Sequence, residues 1–529
     1  MSGRFAFQRA AGVWPAARLF VLALLFVSFN LHAADQPQWG QRWSRNMVSE
    51  ERGLPESFDP ATGRNIKWSA HLGSETYATP VVARGRVFIG TNNNPPRDPK
   101  HQGDHSVLLC LDEKDGHLLW QLVSPKLTNS IFWDWPNAGI CSAPTVEGDR
   151  VYLVGNRGEV LCLDLLGMAN GNDGPFRDEA RHAVPLGRDP IEPGPQDADI
   201  LWLFDYIKEC GVRQHDQAHG SPLVHGDYLY VNTSNGVDDS HKKIMSPDAP
   251  SLIVLDKRTG QLVAQDNERI GPRIFHSTWS SPALGVVNGR ESIIFCGGDG
   301  VVYAFEPFGR DDFHVVPNGQ GAGGTAPSPP KKQVAFLKKV WSFDPDPTAP
   351  KENVHRYNSN RQVSPSNIKS MPVFCNNRVF VTVGGDLWWG KHEAWLKCID
   401  ATQTGDITKS GEVWSYALER HSMSTPAVHN GLVFVGDSGQ RLHCVDAETG
   451  RPHWTHDVKG PAWASPLVAD GKVYFATQRG ELLVFAESRE KKLLSEGNLG
   501  SAISATPVAA NGVLYVATMK ELFAVRGGN

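Results

Sequence analysis

One phrase recurs eight times in this chain, and it confines the chain to a repeat fold. The phrase is a residue that is usually small, a proline, a few apolar residues, a turn, and then an alternating apolar strand. TPVVARGRVFIG from Thr79, SPLVHGDYLYVN from Ser221, TPAVHNGLVFVG from Thr425 and TPVAANGVLYVAT from Thr506 are four of its copies. The eight prolines are Pro80, Pro144, Pro222, Pro282, Pro372, Pro426, Pro466 and Pro507. The last three stand 40 and 41 residues apart, which is the bare period. The wider spacings, up to 90 residues between Pro282 and Pro372, are the same unit carrying insertions.

Each unit continues in a set way. A third strand ends in an acid at Asp112, Asp164, Asp256, Glu306, Asp400 and Asp446. A turn follows, closed by glycine at Gly116, Gly260, Gly405 and Gly450. A short fourth strand then brings a tryptophan: Trp120, Trp202, Trp341, Trp414 or Trp454. Four short strands with closely spaced turns make a small sheet that cannot bury its own faces. Eight such sheets around an axis bury both faces of each and leave only short edges. The expected fold is therefore all-β, an eight-bladed propeller of four-stranded blades, with the outer tryptophans filling the wedges between blades. The last unit ends near Arg526 without its tryptophan strand. NIKWSAHLG, with Trp68, has the character of that missing strand. Residues near Asn65–His71 are expected to complete the blade built from Ile503–Arg526 and so close the ring.

Arg4, Arg9 and Arg18 precede an apolar run from Leu19 to Phe29, and Ala33 and Ala34 follow. A membrane span needs ~20 apolar residues, so this shorter run reads as a cleaved secretory signal. The expected organisation is a signal at 1–34, an N-terminal extension at 35–62 and the propeller at 63–529. The mature chain is then exported, periplasmic or extracellular, and soluble. The first cysteine is Cys110, far from the apolar run, so a lipid-anchored lipoprotein is not expected. Losing three arginines takes the net charge from −5 to −8, which gives no basic footprint for nucleic acid. Cys110, Cys162, Cys398 and Cys444 share a slot that elsewhere holds Val254, the mark of a buried strand position. Cys141 and Cys210 precede equivalent strands of neighbouring repeats and are the pair placed to form a disulfide.

CVDAETGRPHW from Cys444 to Trp454 and CLDEKDGHLLW from Cys110 to Trp120, with Asp115 in the threonine position, resemble the pyrroloquinoline-quinone (PQQ) repeat, A-x-D-x-x-T-G-x-x-x-W. The resemblance covers about residues 63–526. It is shared by two kinds of protein, the quinoprotein alcohol dehydrogenases and the outer-membrane assembly propeller, which is a scaffold. The first kind implies PQQ and calcium as cofactors, with Glu, Asn and Asp ligands, an Asp base and a vicinal disulfide. This chain has no adjacent cysteines and does not match those ligand motifs residue by residue. The second kind implies a periplasmic or envelope protein partner. The opening PQWGQRWSRNMVSEERGLP also resembles the leader of a group of uncharacterised exported propellers.

In a propeller, the loops entering the innermost strands and those joining strands two and three lie on one face. On that face the sequence places His219, His276, Trp279, Lys369, His421 and Trp463 near the axis. Such a funnel suits a planar anionic ligand such as PQQ, or a carbohydrate; the same residues would also serve simply to cap the channel. HDQAH sets His215 and His219 four residues apart, but Gly220 leads it into a strand, so the two do not share a helix face. On the opposite face Asp164, Asn170, Asn172 and Asp173 form an oxygen-rich stretch for an irregular calcium site, against the plainer reading of an Asn/Gly turn. No GxSxG, HExxH or glycine-rich phosphate loop is present. The leading function is an exported monomeric platform that binds a ligand or a protein. The alternatives are a PQQ-dependent dehydrogenase oxidising an alcohol or sugar, and a carbohydrate-binding propeller.

Overall fold

The computed structural model describes residues 1–3, 34–127, 130–309 and 334–527. The expected secretory signal lies almost wholly outside them. No described helix is long and apolar enough to cross a membrane.

Eight sheets with antiparallel cores form the eight blades of a propeller, and seven of them take those core strands from one stretch of the chain. Blade one is Val81–Ala83, Arg86–Asn92, His105–Asp112 and Leu118–Pro125. Blade six, with the shortest insertions, is Ala427–His429, Leu432–Asp437, Arg441–Asp446 and Pro452–Asp457. Blade eight takes Val508–Ala510, Val513–Ala517 and Glu521–Val525 from the end of the chain and Ile66–His71 from its start. The closing pair is antiparallel and runs from Ile66 opposite Val525 to His71 opposite Glu521. The ring therefore closes where the sequence placed it.

Two side-chain devices set the repeat. The first locks neighbouring blades at the periphery. The outer tryptophan of one blade reaches across to the turn of the next and donates its indole N–H to a backbone carbonyl there. Trp68 donates to Glu113 at 3.0 Å, Trp120 to Leu165 at 3.0 Å and Trp202 to Lys257 at 3.2 Å. Trp414 donates to Ala447 and Trp454 to Ser488, both at 3.0 Å. The turn glycine lies beneath the indole: a Cβ on Gly450 would fall 2.6 Å from Trp414.

The second device is a belt of hydrogen bonds around the axis. At five repeat prolines the preceding Ser or Thr accepts the backbone N–H of its counterpart in the preceding blade. Met371 donates to Thr425 (3.0 Å), Thr425 to Ser465 (2.9 Å), Ser465 to Thr506 (3.0 Å) and Thr506 to Thr79 (3.1 Å). Ser221 donates to Ser281 at 2.9 Å. Ala143 and Met371 have no hydroxyl to offer the blades before them.

The N-terminal extension fills the centre of the ring and touches the inner strands of all eight blades. Gln36 pairs with Val82, Pro37 accepts from Val146, and the Arg45 guanidinium donates to Ser221. Trp43 accepts from Leu284 and Ser44 from Phe374. The Asn46 amide both donates to and accepts from Val428. Val48–Ser49 runs parallel to blade seven, and the Ser49 hydroxyl donates to Ala509. Arg45 is fully buried and makes backbone contacts only, to Pro282, Trp39 and Ser221; burial lowers its guanidinium to about 9.

All eight cysteines are free thiols. The Cys141–Cys210 bridge is not formed. Cys141 lies beside the axis against the carbonyls of Ala138 and Gly139. Cys210 closes the helix Tyr206–Cys210 and packs on the apolar layer between blades two and three.

Candidate functional site

Above the N-terminal plug the axis widens into a cavity of about 500 Å3. Trp39 of the plug is part of its floor, and its indole donates to the Thr79 hydroxyl at 3.1 Å. The wall comes from loops entering the innermost strands and from the loops between strands two and three. An arc of aromatic rings runs along it, Trp279 to Trp388 to Trp463 to Tyr77, with successive ring centres 5.9, 6.3 and 6.1 Å apart.

At one side of the floor lies a buried ion network. Asp386 sits in the loop of blade five, where one carboxylate oxygen accepts the N–H groups of Trp388 and Trp389, both at 3.0 Å. Its other oxygen receives His276 Nδ1 at 2.9 Å, the Asn367 amide at 2.8 Å and the Lys369 ammonium at 3.2 Å. Burial would raise the Asp386 carboxyl, but Lys369 and His276 hold it well below the usual carboxylate range. Burial would lower the His276 imidazole, yet Asp386 and Asp216 raise it above its ordinary value. Lys369 Nζ also lies 3.9 Å from the Trp279 ring centre and 5.3 Å from that of Trp388. The lysine is thus neutralised by one carboxylate and packed between indoles.

Next to this network stand two more buried histidines. His215 Nε2 is 2.9 Å from His241 Nε2, and His276 Nε2 is 3.1 Å from Asp216 Oδ2. Burial pushes His215 down to about 3 and also lowers His241. Asp216 is held at about 2 by the neighbouring histidines, chiefly His276, against the effect of burial.

Five of the six residues singled out from sequence line the cavity: His219, His276, Trp279, Lys369 and Trp463. His421 does not; it is buried outside the lining, and burial together with the Lys369 charge pushes its imidazole down to about 3. Within HDQAH the two histidines part. His219 packs on Trp279, with ring centres 4.8 Å apart, while His215 turns to His241. Asp386, His241, Trp388 and Trp389 were not singled out, although GGDLWWGKHEAW and VDDSHKK lie on loops assigned to this face. On the opposite face, Asp164 pairs with Arg150 at 3.2 Å, Asn170 bonds Asp173 and Asn172 bonds Glu179. Asn170 and Asp173 thus bond each other, while Asp164 and Asn172 are engaged by residues outside the set. Among the described residues, the groups with ligand atoms clustered closely enough for a metal are elsewhere: His215, His241 and His276, and the exposed Asp112, Asp115 and His117.

A family model described as outer membrane protein assembly factor BamB matches residues 44–168 and 393–528. The quinoprotein alcohol dehydrogenase PedH of Pseudomonas putida is 23% identical over 146 residues, 24% of this chain and 24% of that protein. The quinohemoprotein alcohol dehydrogenase of Comamonas testosteroni is 27% identical over 147 residues, 24% of this chain and 21% of that protein. The match thus spans about a quarter of the length of these curated relatives. Among solved structures, quinohemoprotein alcohol dehydrogenase ADHIIG from Pseudomonas putida HK5 superposes with a TM-score of 0.56 at 11% identity, covering 94% of this chain and 81% of that one. A europium-containing methanol dehydrogenase gives 0.55 at 13% identity, covering 92% and 89%. At these identities the likeness concerns the fold alone.

Proposed function

The chain is a member of the PQQ-repeat β-propeller family, and we propose that it is a ligand-binding propeller whose axial cavity takes a small polar ring, best of all a sugar. One observation carries this reading: an arc of aromatic faces stands above a polar floor whose charges are already balanced. Aromatic faces stack on the apolar side of a sugar ring, while the hydroxyls meet acceptors and donors such as Asp216, Gln217 and Ser504.

The same lining argues against a bound PQQ with calcium. A polycarboxylated quinone would meet Lys369 and His276 as the cationic groups among the described lining residues, and Asp386 and Asp216 already engage them. Calcium prefers oxygen ligands, and the described lining has one carboxylate, Asp216, with no Glu or Asn. The residues present therefore do not fit that pair of cofactors.

The test is a glycan array followed by titration of the best sugar, read by tryptophan fluorescence. Trp463→Ala should weaken binding about 2- to 10-fold, the worth of one aromatic contact. If no sugar binds and the protein takes up PQQ stoichiometrically, the reading is wrong. A second reading, a protein partner on this face, is favoured by Trp135, which lines the cavity yet is 42% exposed. Capture of a discrete partner that is lost in Trp135→Ala but kept in Trp463→Ala would carry that reading instead.

A further inference from the structure

We propose that His215, His241 and His276, with Asp216, form a binding site for a divalent transition-metal ion of the zinc class, opening into the axial cavity. The three histidines are buried, and one ligand atom from each lies within 4.8 Å of the others. A tetrahedral zinc ion with bonds of about 2.1 Å holds its nitrogen ligands roughly 3.4 Å apart, so small side-chain rotations suffice.

The hydrogen bonds around the cluster carry the argument further. His215 Nδ1 faces the Val237 carbonyl at 2.9 Å. A carbonyl oxygen only accepts, so Nδ1 is the donor there and Nε2 of the neutral His215 ring carries a lone pair. That lone pair points inward, at His241 Nε2 2.9 Å away. His276 is anchored in the same manner, with Nδ1 on the Asp386 carboxylate and Nε2 turned inward. Anchoring the distal nitrogen on a carbonyl or carboxylate is how proteins orient metal-bound histidines.

Asp216 completes the set. Its carboxylate lies 3.1 Å from His276 Nε2 and 3.5 Å from His215 Nε2, and it lines the cavity. Asp216 and Gln217 both have positive φ, 56° and 79°, in succession and without glycine. Such backbone is costly and persists where a function over-determines it. Aromatic rings enclose the other sides: Phe132 stacks on His215 at 5.4 Å and Trp389 covers His241 at 4.7 Å. Three imidazoles and one carboxylate suit zinc, iron, copper or nickel over magnesium or calcium.

The experiment uses the full chain, stripped of metal and titrated with Co2+ as a visible probe, with no sugar present. One Co2+ per chain should bind with d–d absorption bands, Zn2+ should displace it, and metal should raise the melting temperature. His215→Gln and His241→Gln should each weaken uptake at least tenfold and abolish the thermal protection. His117→Gln, in the exposed Asp112–Asp115–His117 turn, should leave both unchanged. Melting of the metal-free variants reports whether they fold; His241 is on a surface insertion, so its variant decides if the His215 variant does not fold. No stoichiometric uptake, or uptake undiminished in the folded variants, overturns the proposal. Because metal is titrated without sugar, its failure leaves the sugar reading untouched, and the reverse.

Discussion

Glu159 is a single side chain whose chemistry gives this fold a measurable acid response. It is buried in blade two, where it accepts from His182 Nε2 at 2.9 Å and Arg157 Nη2 at 2.6 Å. Burial alone would raise its carboxyl, but His182 and Arg157 bring it from 4.5 down to about 2. A carboxyl depressed on folding contributes stability above its unfolded value and loses it as pH falls toward its folded value. The window here is therefore pH 4.5 down to 2. Glu159→Gln should be less stable than the parent near neutral pH by on the order of 3 kcal/mol, with the gap closing in acid. Urea unfolding at a series of pH values reads this directly, and a gap independent of pH would show that the charge is not responsible. At this scale the sequence was only partly informative. The Ser or Thr before a repeat proline was visible as a small residue, but its role in the axial belt depends on the next blade. His219, Trp279 and Lys369 were found because they sit beside the repeat proline, a position the ring always brings to the axis. Asp386 and His241 were not, because they ride on insertions whose path no period describes.

At four interfaces a tryptophan of one blade packs on a glycine of the next: Trp68 on Gly116, Trp120 on Gly167, Trp202 on Gly260 and Trp414 on Gly450. The repeat showed both residues at fixed offsets, so strand number, order and outer tryptophan were all legible. What a repeat cannot show is that the two belong to different blades, since the contact joins one unit to the next. Gly450 has φ of 69° and lies under the Trp414 ring, with no room for a Cβ. Gly431 has φ of 75° but open space around its α-carbon. Alanine at Gly431 pays only the left-handed backbone term, about 1–2 kcal/mol. Alanine at Gly450 should cost more by about 1–3 kcal/mol, because the indole must move. Denaturant midpoints of the two variants separate these contributions; equal losses would mean that the indole is not what fills the wedge.

The whole ring depends on two non-covalent joints made by residues 36–72. The strand Ile66–His71 supplies the outer edge of blade eight, and its Trp68 docks on the turn of blade one. The plug from Gln36 to Ser49 ties together all eight inner strands. The closing strand was legible because Trp68 stands alone before the first repeat while the last repeat lacks its tryptophan. The plug was not, because PQWGQRWSRNMVSEERGLP has no period and its partners are backbone groups spread over the entire chain. The two joints should fail differently. Deleting residues 63–72 opens the ring, leaves blade eight with an unpaired edge, and should lower the melting temperature sharply with loss of cooperativity. Deleting residues 36–49 leaves the closing strand and Trp68 in place, so the ring should still close, but with an empty axis and no Trp39 floor under the cavity. That variant should unfold at a lower temperature in a single transition, and its inner-strand amides should exchange with solvent faster while those of the outer strands stay protected. Hydrogen exchange followed blade by blade decides the matter: protection lost evenly across all strands would mean that the N-terminal segment holds the whole ring together rather than its axis alone.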